Sequence, residues 1–527
     1  GLLNKASIIL TPTGYKAGTL YNVAPVVEPY EDFDFARASV ASRVNSSGLV
    51  EMVGRTLSSE LMPSVATIVN LLGGSITQIS SNSYSSTSDG TTGSSLRPKF
   101  DFNTTNGKTY KLVITPTGAI TGTLNFDFYD GSSYLFQNYD FTTTKEIYFT
   151  DNGSVFGGFD GTKTYSIASF TISIKEIIDT NNIPRISYDS NGDNGHILLE
   201  PTSTNLLPYS EDLLSWINSG GNTLTSGLTS PSGDTSAFSI LSGSGASSRL
   251  VYITTLTAVN TQHTISTFVK QVNNYPTAYL RWGHSELANN IVTFNFDTET
   301  LTDVSGNNTD LFVESYNNGW YRIGFTFTTG SSITNQQIQI NRGANVEAAY
   351  WGLQIEALSF PTSYIPTLTG STVTRATETA TGAGSADLIN STEGVLYAEI
   401  EALENGGIDR IISLSDETNN NLIYIRIDNT ANRINSFARG GGGSYNILTV
   451  NGVTQTNNNK IALAWDATNV RVWINGSESS SATINNLPLN MSTLSFTSPV
   501  GGSPFYGKCK AVAVFNEALS DAELNNL

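Results

Sequence analysis

Residues 184–216 read PRISYDSNGDNGHILLEPTSTNLLPYSEDLLSW. Two short strand-like runs, around Arg185–Tyr188 and His196–Leu199, flank a turn made of Asp, Ser, Asn and Gly, residue types that favour turns. The stretch carries few groups able to do chemistry. It stands between long blocks patterned for β-structure, one before it and two after it. That arrangement predicts an all-β chain of serial sandwich or jelly-roll modules, built for contact.

Residues 75–183 hold short alternating runs such as KTYKLVITPT and TYSIASFTISIKEI, separated by Gly, Asp and Asn at roughly 8–14 residues, the spacing of a sandwich. Residues 217–376 repeat the pattern in TISTFVKQV, WYRIGFTFTT and AAYWGLQIEAL. Residues 391–527 repeat it again in GVLYAEIEAL, NLIYIRIDN and KIALAWDATNVRVWINGS. The segment 377–390, rich in Gly, Ala, Ser and Thr, reads as a linker. Residues 1–74 open with a short apolar strand at Ser7–Leu10 and do not make a closed core. They read as an attachment and assembly segment. Within them, 61–74 (LMPSVATIVNLLGG) is the best helix candidate, with Pro63 in the first turn, apolar residues at Val65, Ile68, Val69 and Leu72, and a Gly pair to end it. The tail ALSDAELNNL suits a terminal helical turn, with Asp521 and Glu523 near its start.

The bulk numbers exclude several functions. A chain of 527 residues exceeds one ordinary core and suggests three or four domains. Its formal charge of −18 opposes nucleic acid and anionic membrane surfaces. No apolar run reaches the roughly 18–20 residues that span a bilayer. The start GLLNKASIIL lacks the pattern of a signal peptide, and Lys5 stands where a myristoylation signal needs Ser or Thr. The single cysteine, Cys509, cannot form an intrachain disulfide and reads as a small buried residue.

Candidate chemistry is sparse. Glu399, Glu401 and Glu404 approach the E-x-D-x-x-E run of a concanavalin-like glycosidase family, where two carboxylates act as nucleophile and acid/base. The middle Asp is Glu401 here and the run opens its module, so a solvated strand face is favoured. Asp189, Asn191 and Asp193, with Glu200 eleven residues after the first, imitate a calcium loop. Asn194 occupies its Gly position and the flanks read as strands, so a plain Asx/Gly turn is favoured and a calcium site is the alternative. His196, His263 and His284 show no metal spacing. Gly440–Gly443 lacks the Lys-Ser/Thr and helix of a phosphate loop, and no cofactor is expected. Beside that flexible tip, Arg439 and Tyr445 are the candidate ligand-binding residues, able to hydrogen-bond and stack on a sugar. Trp320, Tyr321, Tyr350, Trp351, Trp465 and Trp473 lie in strand patterns and read as core. No catalytic residue is expected, and the chain reads as no enzyme.

The stretch also resembles one seen in tailed-phage virion fibre proteins. The matching positions are Arg185, Tyr188, Leu198–Pro201, Thr204–Leu206, Tyr209–Asp212 and Trp216; the family's Phe after the Asp is Leu213. Gly319–Ile323 (GWYRI), Trp351–Glu356, Pro361–Thr367 and Val373–Ala376 resemble the usual partner module, and LNKASIILTPT and DFDFARAS fit the start. The hairpin AWDATNVRVWINGS and the end GKCKAVAVFNEALSDAELNNL resemble a concanavalin A-like/laminin-G-like sandwich. The resemblance implies a homotrimeric head or tail fibre or decoration on the particle exterior. It implies joining to other virion proteins through the N-terminal segment, and attachment to a host cell-surface glycan. The alternatives are a tailspike-like polysaccharide depolymerase and, ranked last, a bacterial surface adhesin.

Overall fold

The computed structural model describes residues 2–24, 32–61, 68–69, 73–91, 99–160, 162–254, 256, 258–283, 290–306, 308–330 and 336–527. These residues form many antiparallel sheets and very little helix. The chain divides into two compact units, one of residues 55–179 with 367–371, the other of 1–54, 180–366 and 372–527.

The smaller unit is a sandwich. One sheet runs in the order Tyr134–Asp140, Asn125–Tyr129, Phe156–Phe159, Lys99–Asp101, Ile68–Val69. The other runs Lys145–Thr150, Thr109–Pro116, Thr164–Asp179, Ser83–Asp89, Gly74–Ser80. Alternation explains the layers: along Thr109–Pro116, Tyr110, Leu112 and Ile114 are buried while Lys111 and Val113 are half-exposed. The core is aromatic, with Phe128 and Phe149 ring centroids 4.9 Å apart and Phe159 and Phe170 5.3 Å apart, both edge-on. A Cβ on Gly157 would sit 2.7 Å from Phe126 Cζ, so the sheet needs glycine there. Of the helix expected over 61–74, the described residues show strand instead at Ile68–Val69 and from Gly74. Ile68–Val69 pairs with Lys99–Phe100, and Gly74–Ser80 pairs with Ser83–Asp89. Residues 62–67 and 70–72 lie outside the described residues. Short apolar repeats fit a strand pair as well as a helix turn.

In the larger unit, the middle sandwich has two sheets. One orders Ile217–Ser219, Arg249–Thr254, Gln336–Ile340, Thr277–Gly283, Asn290–Asn295, Thr300–Asp303. The other orders Thr223–Leu228, Ala237–Leu241, Glu347–Glu356, Gln262–Gln271, Trp320–Thr328, Thr309–Tyr316. Leu280, Trp282, Phe294, Ile323, Phe325 and Ile355 lie in the core between them. A hairpin of Ala41–Val44 and Val50–Val53 covers the far side of the second sheet, where Val50 packs with Phe268, Trp320, Trp351 and Tyr364.

The C-terminal sandwich recruits strands from far away in sequence. Its central strand, Gly507–Phe515, pairs along one edge with Gly394–Ala402. The other edge is shared by two distant segments: Ile8–Leu10 pairs with Val512–Val514, and Ile197–Leu199 pairs with Gly507–Cys509. Ile8, Leu10, Leu20, Phe33 and Phe35 thereby join Leu396, Leu414, Ile423 and Val514 in one core. The first part of the N-terminal segment, the strands within residues 8–36, is therefore part of this sandwich. So is the expected linker at 377–390: Thr379–Thr381 pairs with Phe33–Ala36, and Ala380, Ala383 and Ile389 are buried. The facing sheet runs Asn446–Asn451, Arg433–Arg439, Leu422–Ile427, Arg410–Ser415, Thr493–Ser495. The expected terminal turn is a helix at Asp521–Leu524, opened by Ser520, whose N–H and Oγ–H donate to Glu523 Oε2 at 2.9 and 2.8 Å.

A buried ionic network ties the segments together. Glu378 receives Arg37 at 2.5 Å and Arg185 through both oxygens, with Arg185 Nε at 2.9 Å. Glu200 receives Arg185 at 2.8 Å and Arg375 at 2.9 Å. Glu356 accepts from Ser203 Oγ at 2.7 Å and from Thr362, whose hydroxyl also accepts from Arg375. Three guanidinium groups thus face three carboxylates, and all six side chains are buried. Buried charges persist only when paired and hydrogen-bonded in this way.

Candidate functional site

The outer face of the facing sheet in the C-terminal sandwich carries the best-formed contact surface. Ile423, Ile425 and Ile427 point into the core, so alternation turns Tyr424 and Arg426 outward. Register then places Tyr424 opposite Phe437, and Phe437 opposite Ile447. The Tyr424 and Phe437 rings stack with centroids 4.4 Å apart, and Tyr445 meets Phe437 edge-on at 6.1 Å. Ile447 is 56% exposed and Tyr445 39% exposed. Burial pushes the Tyr424 phenol up to about 12, so it stays protonated and able to donate. Polar groups rim the patch. The Arg426 guanidinium lies 4.6 Å from the Phe437 centroid and binds Asp428 at 2.7 Å.

Arg439 and Tyr445, expected as ligand contacts, are brought together beside this patch. The Arg439 guanidinium lies 4.5 Å from the Tyr445 ring centroid. Its donors go to Gly443 O at 2.7 Å, Asn419 O at 2.7 Å, Gly442 O at 2.9 Å and Tyr445 Oη at 3.1 Å. Arg439 therefore holds the glycine loop and orients the tyrosine. A Cβ on Gly440 would sit 1.9 Å from Leu487 O, which explains a glycine at the loop's start. Sequence reading missed Tyr424, Phe437 and Arg426, because an aromatic residue in a strand looks the same whether it faces core or solvent.

A second concavity in the larger unit, about 490 Å³, is lined by Asp189, His196, Lys508, Lys510, Glu401 and Arg322 among others. The turn at Asp189, Asn191 and Asp193 forms part of its wall. Asp189 Oδ1 accepts the Asn191 and Asp193 N–H groups at 3.0 and 2.9 Å, and Oδ2 accepts Asn194 Nδ2 at 2.7 Å. These bonds hold the carboxyl below its ordinary range, led by the one from Asn194. The Asp189 carboxylate thus closes an Asx-type turn. Among the described residues no cluster of three or more His, Cys, Asp or Glu could hold a metal.

The three glutamates of 399–404 do not converge. Glu401 pairs with Lys508 at 2.6 Å, Glu399 accepts from Asn458 at 2.8 Å, and Glu404 binds Arg410 at 2.8 Å and Ser359 at 2.6 Å. His263 is buried and stacks on Phe327, its Nδ1 3.1 Å from Thr261 O. His284 lies outside the described residues. Trp320, Tyr350, Trp351, Trp465 and Trp473 are buried, while Tyr321 is half-buried with its hydroxyl on Glu299 at 2.9 Å. Cys509 is fully buried between sheets, which pushes its thiol well up.

Two groups near the cleft make the larger unit acid-sensitive. Burial, with Lys508, Lys510 and Arg185 nearby, lowers His196 from 6.5 to about 4, against the raising effect of the Asn194 carbonyl. A histidine held neutral in the fold contributes stability that is complete above pH 6.5 and lost as pH falls toward about 4, on the order of 3 kcal/mol. For Glu200, burial alone would raise the carboxyl, but Arg375, Arg185 and the Ser363 hydrogen bonds hold it at about 2 against an ordinary 4.5. Its contribution is complete above pH 4.5 and lost as pH falls through about 2. All six tryptophans lie in the larger unit, so urea unfolding followed by tryptophan fluorescence reads it alone. Stability is expected to fall in two stages below pH 6.5, and His196→Gln to remove the first. An unchanged upper stage in that variant would contradict the assignment.

Residues 388–525 match the model of the concanavalin A-like lectin/glucanases superfamily. No curated protein matches the chain. Solved structures give weak superpositions. The leech intramolecular trans-sialidase is 21% identical over 28% of this chain and 26% of that chain, with a TM-score of 0.23. The CBM22-1-CBM22-2 tandem domain of Paenibacillus barcinonensis Xyn10C is 11% identical over 58% of this chain and 97% of that one, with a TM-score of 0.22. The Trypanosoma rangeli sialidase is 10% identical over 94% of this chain and 98% of that one, with a TM-score of 0.22. The presence of a trans-sialidase and a sialidase among these structures corrects the expectation that the chain is no enzyme, and that exclusion is withdrawn. Superpositions this weak do not argue for a particular activity.

Proposed function

We propose that this chain is a glycan-binding component of a bacteriophage particle, a homotrimeric head or tail fibre or decoration that holds a host cell-surface glycan on the outer face of its C-terminal sandwich. The observation that carries the glycan reading is the aromatic patch of Tyr424, Phe437 and Tyr445, rimmed by Arg426 and Arg439, on a sandwich that matches a lectin and glucanase superfamily. Sugar rings present C–H faces that stack on aromatic rings, and their hydroxyls need a polar rim. The phage part is supported by the resemblance of residues 184–216 and their neighbours to virion fibre proteins. Three copies on one particle would turn weak single-site contacts into useful avidity.

The test is affinity electrophoresis of the intact chain in gels containing bacterial surface polysaccharide, with native mass spectrometry on the same sample. Retardation of a trimer is expected. Tyr424→Ala should cut retardation by about tenfold, from the loss of roughly 1–1.5 kcal/mol of ring contact. A stable monomer would overturn the fibre reading, and retardation unchanged by Tyr424→Ala would overturn the patch. Reducing-sugar release from the same polysaccharide would identify the chain as a glycan-processing enzyme.

A further inference from the structure

We propose that the outer face of one sheet of the middle sandwich, the sheet that begins at Ile217–Ser219, is a second binding site, for a saccharide that carries a carboxylate. The saccharide half of this rests on the glycan reading above; the carboxylate half rests on this face alone.

Register assembles the face. Leu250, Leu280 and Ile340 lie in the core, so alternation turns Arg249 and Val251, Tyr279 and Arg281, and Gln337 and Gln339 to the other side. Val251 pairs with Gln339 and Gln339 with Arg281, so these three form one row across adjacent strands. Arg342, two residues past Ile340, comes over the same side, with its Nη1 3.4 Å from Tyr279 Oη. Ile217 and Ile253, 51% and 54% exposed, leave the edge of the face open to solvent.

Three guanidinium groups therefore gather on one face of a chain whose charge is −18. Burial lowers the Arg281 pKa, Tyr279 raises it, and Arg342 and Arg249 lower it again, so both of those cations stand within electrostatic reach of Arg281. Arg249 and Arg342 make no ion pair among the described residues. Arg249 Nη1 donates to Ser247 O at 2.7 Å, while its Nε–H is buried without a hydrogen-bond partner. The six strands of the sheet hold one acidic residue, Asp303. It pairs with Val292, which faces the core, and it accepts from Ser305 and Asn308, so it does not offset the arginines.

Gln339 supplies the other half of the recognition. It is 1% exposed, its Nε2 donates to Gln337 Oε1 at 3.0 Å, and its own Oε1 is buried without a partner. A buried acceptor left open costs stability, and a ligand donor would remove that cost. A planar carboxylate matches the fork of a guanidinium, and a hydroxyl of the same sugar can donate to Gln339. Inorganic phosphate supplies the charge without the ring of hydroxyls.

The experiment is titration calorimetry on the intact chain with trigalacturonate, neutral galactotriose and inorganic phosphate, repeated on Arg249→Gln, Arg342→Gln and Tyr424→Ala, with native mass spectrometry on each sample. Trigalacturonate is expected to bind the wild type. Each arginine variant should weaken it by about tenfold, the loss of one charge-assisted hydrogen bond, and Tyr424→Ala should leave that affinity unchanged. Phosphate should bind at least tenfold more weakly than trigalacturonate. No trigalacturonate binding, an affinity untouched by both arginine variants, or one matched by phosphate or galactotriose would overturn the proposal. A change of oligomeric state in the arginine variants would make this face an interface between copies and overturn it too. Trigalacturonate binding that depends on the arginines, in a chain that bacterial surface polysaccharide does not retard, would keep this site and sink the aromatic patch.

Discussion

Glu378→Ala is expected to destabilise the larger unit by roughly 3–5 kcal/mol, enough to unfold many domains of ordinary stability. Glu378 is the only carboxylate paired with Arg37 among the described residues, and it is one of two paired with Arg185. It also accepts the backbone N–H of Glu200 at 2.9 Å. Removing it leaves the buried Arg37 without a counter-charge and Arg185 with Glu200 alone, and opens a void between the two segments. Desolvated cations without a counter-charge are far costlier than a lost surface pair. Glu378→Gln keeps the shape and part of the hydrogen bonding, so it should fall between wild type and alanine. Urea midpoints read by tryptophan fluorescence check this. A loss below about 1 kcal/mol for alanine would mean that the network is hydrated rather than buried.

Ile8→Ala with Leu10→Ala is expected to cost about 5 kcal/mol in the same assay. Both side chains are fully buried in the C-terminal core, and large-to-small changes at such sites each cost about 2–5 kcal/mol. Their strand covers one half of an edge of Gly507–Phe515, through the pairs of Ile8 with Val514 and Leu10 with Val512. Once that strand detaches, the edge is open to pairing with another chain, so the variant should also aggregate. Thioflavin-negative protein with the wild-type oligomeric state and midpoint would contradict this role.

The strands were legible because alternation is local. NVRVWI and TYKLVITP announce their buried faces within six to eight residues, and both are strands. What could not be read was which strand joins which core. Ile8 and Val514 are separated by most of the chain, and nothing in either strand names the other. The segment 377–390 looked like a linker because its residues are small. Ala380 and Ala383 are small because they pack beneath neighbouring strands in a crowded core. Arg37, Arg185, Glu200, Arg375 and Glu378 each look like surface residues until pairing removes them from water. At the candidate site, the glycine run pointed to Arg439 and Tyr445. Tyr424 and Phe437 stayed hidden because outward and inward aromatics share one pattern, and only the register with Ile447 separates them.

Hydroxyl-radical footprinting of the intact chain, with and without a retained surface polysaccharide, reads the proposed sugar contact residue by residue. Tyr424 and Tyr445 should lose reactivity when the polysaccharide is bound, while the buried Phe437 beneath them and Tyr321 on the middle sandwich should not change. Unaltered labelling at those two rings under saturating polysaccharide would contradict glycan binding on this face.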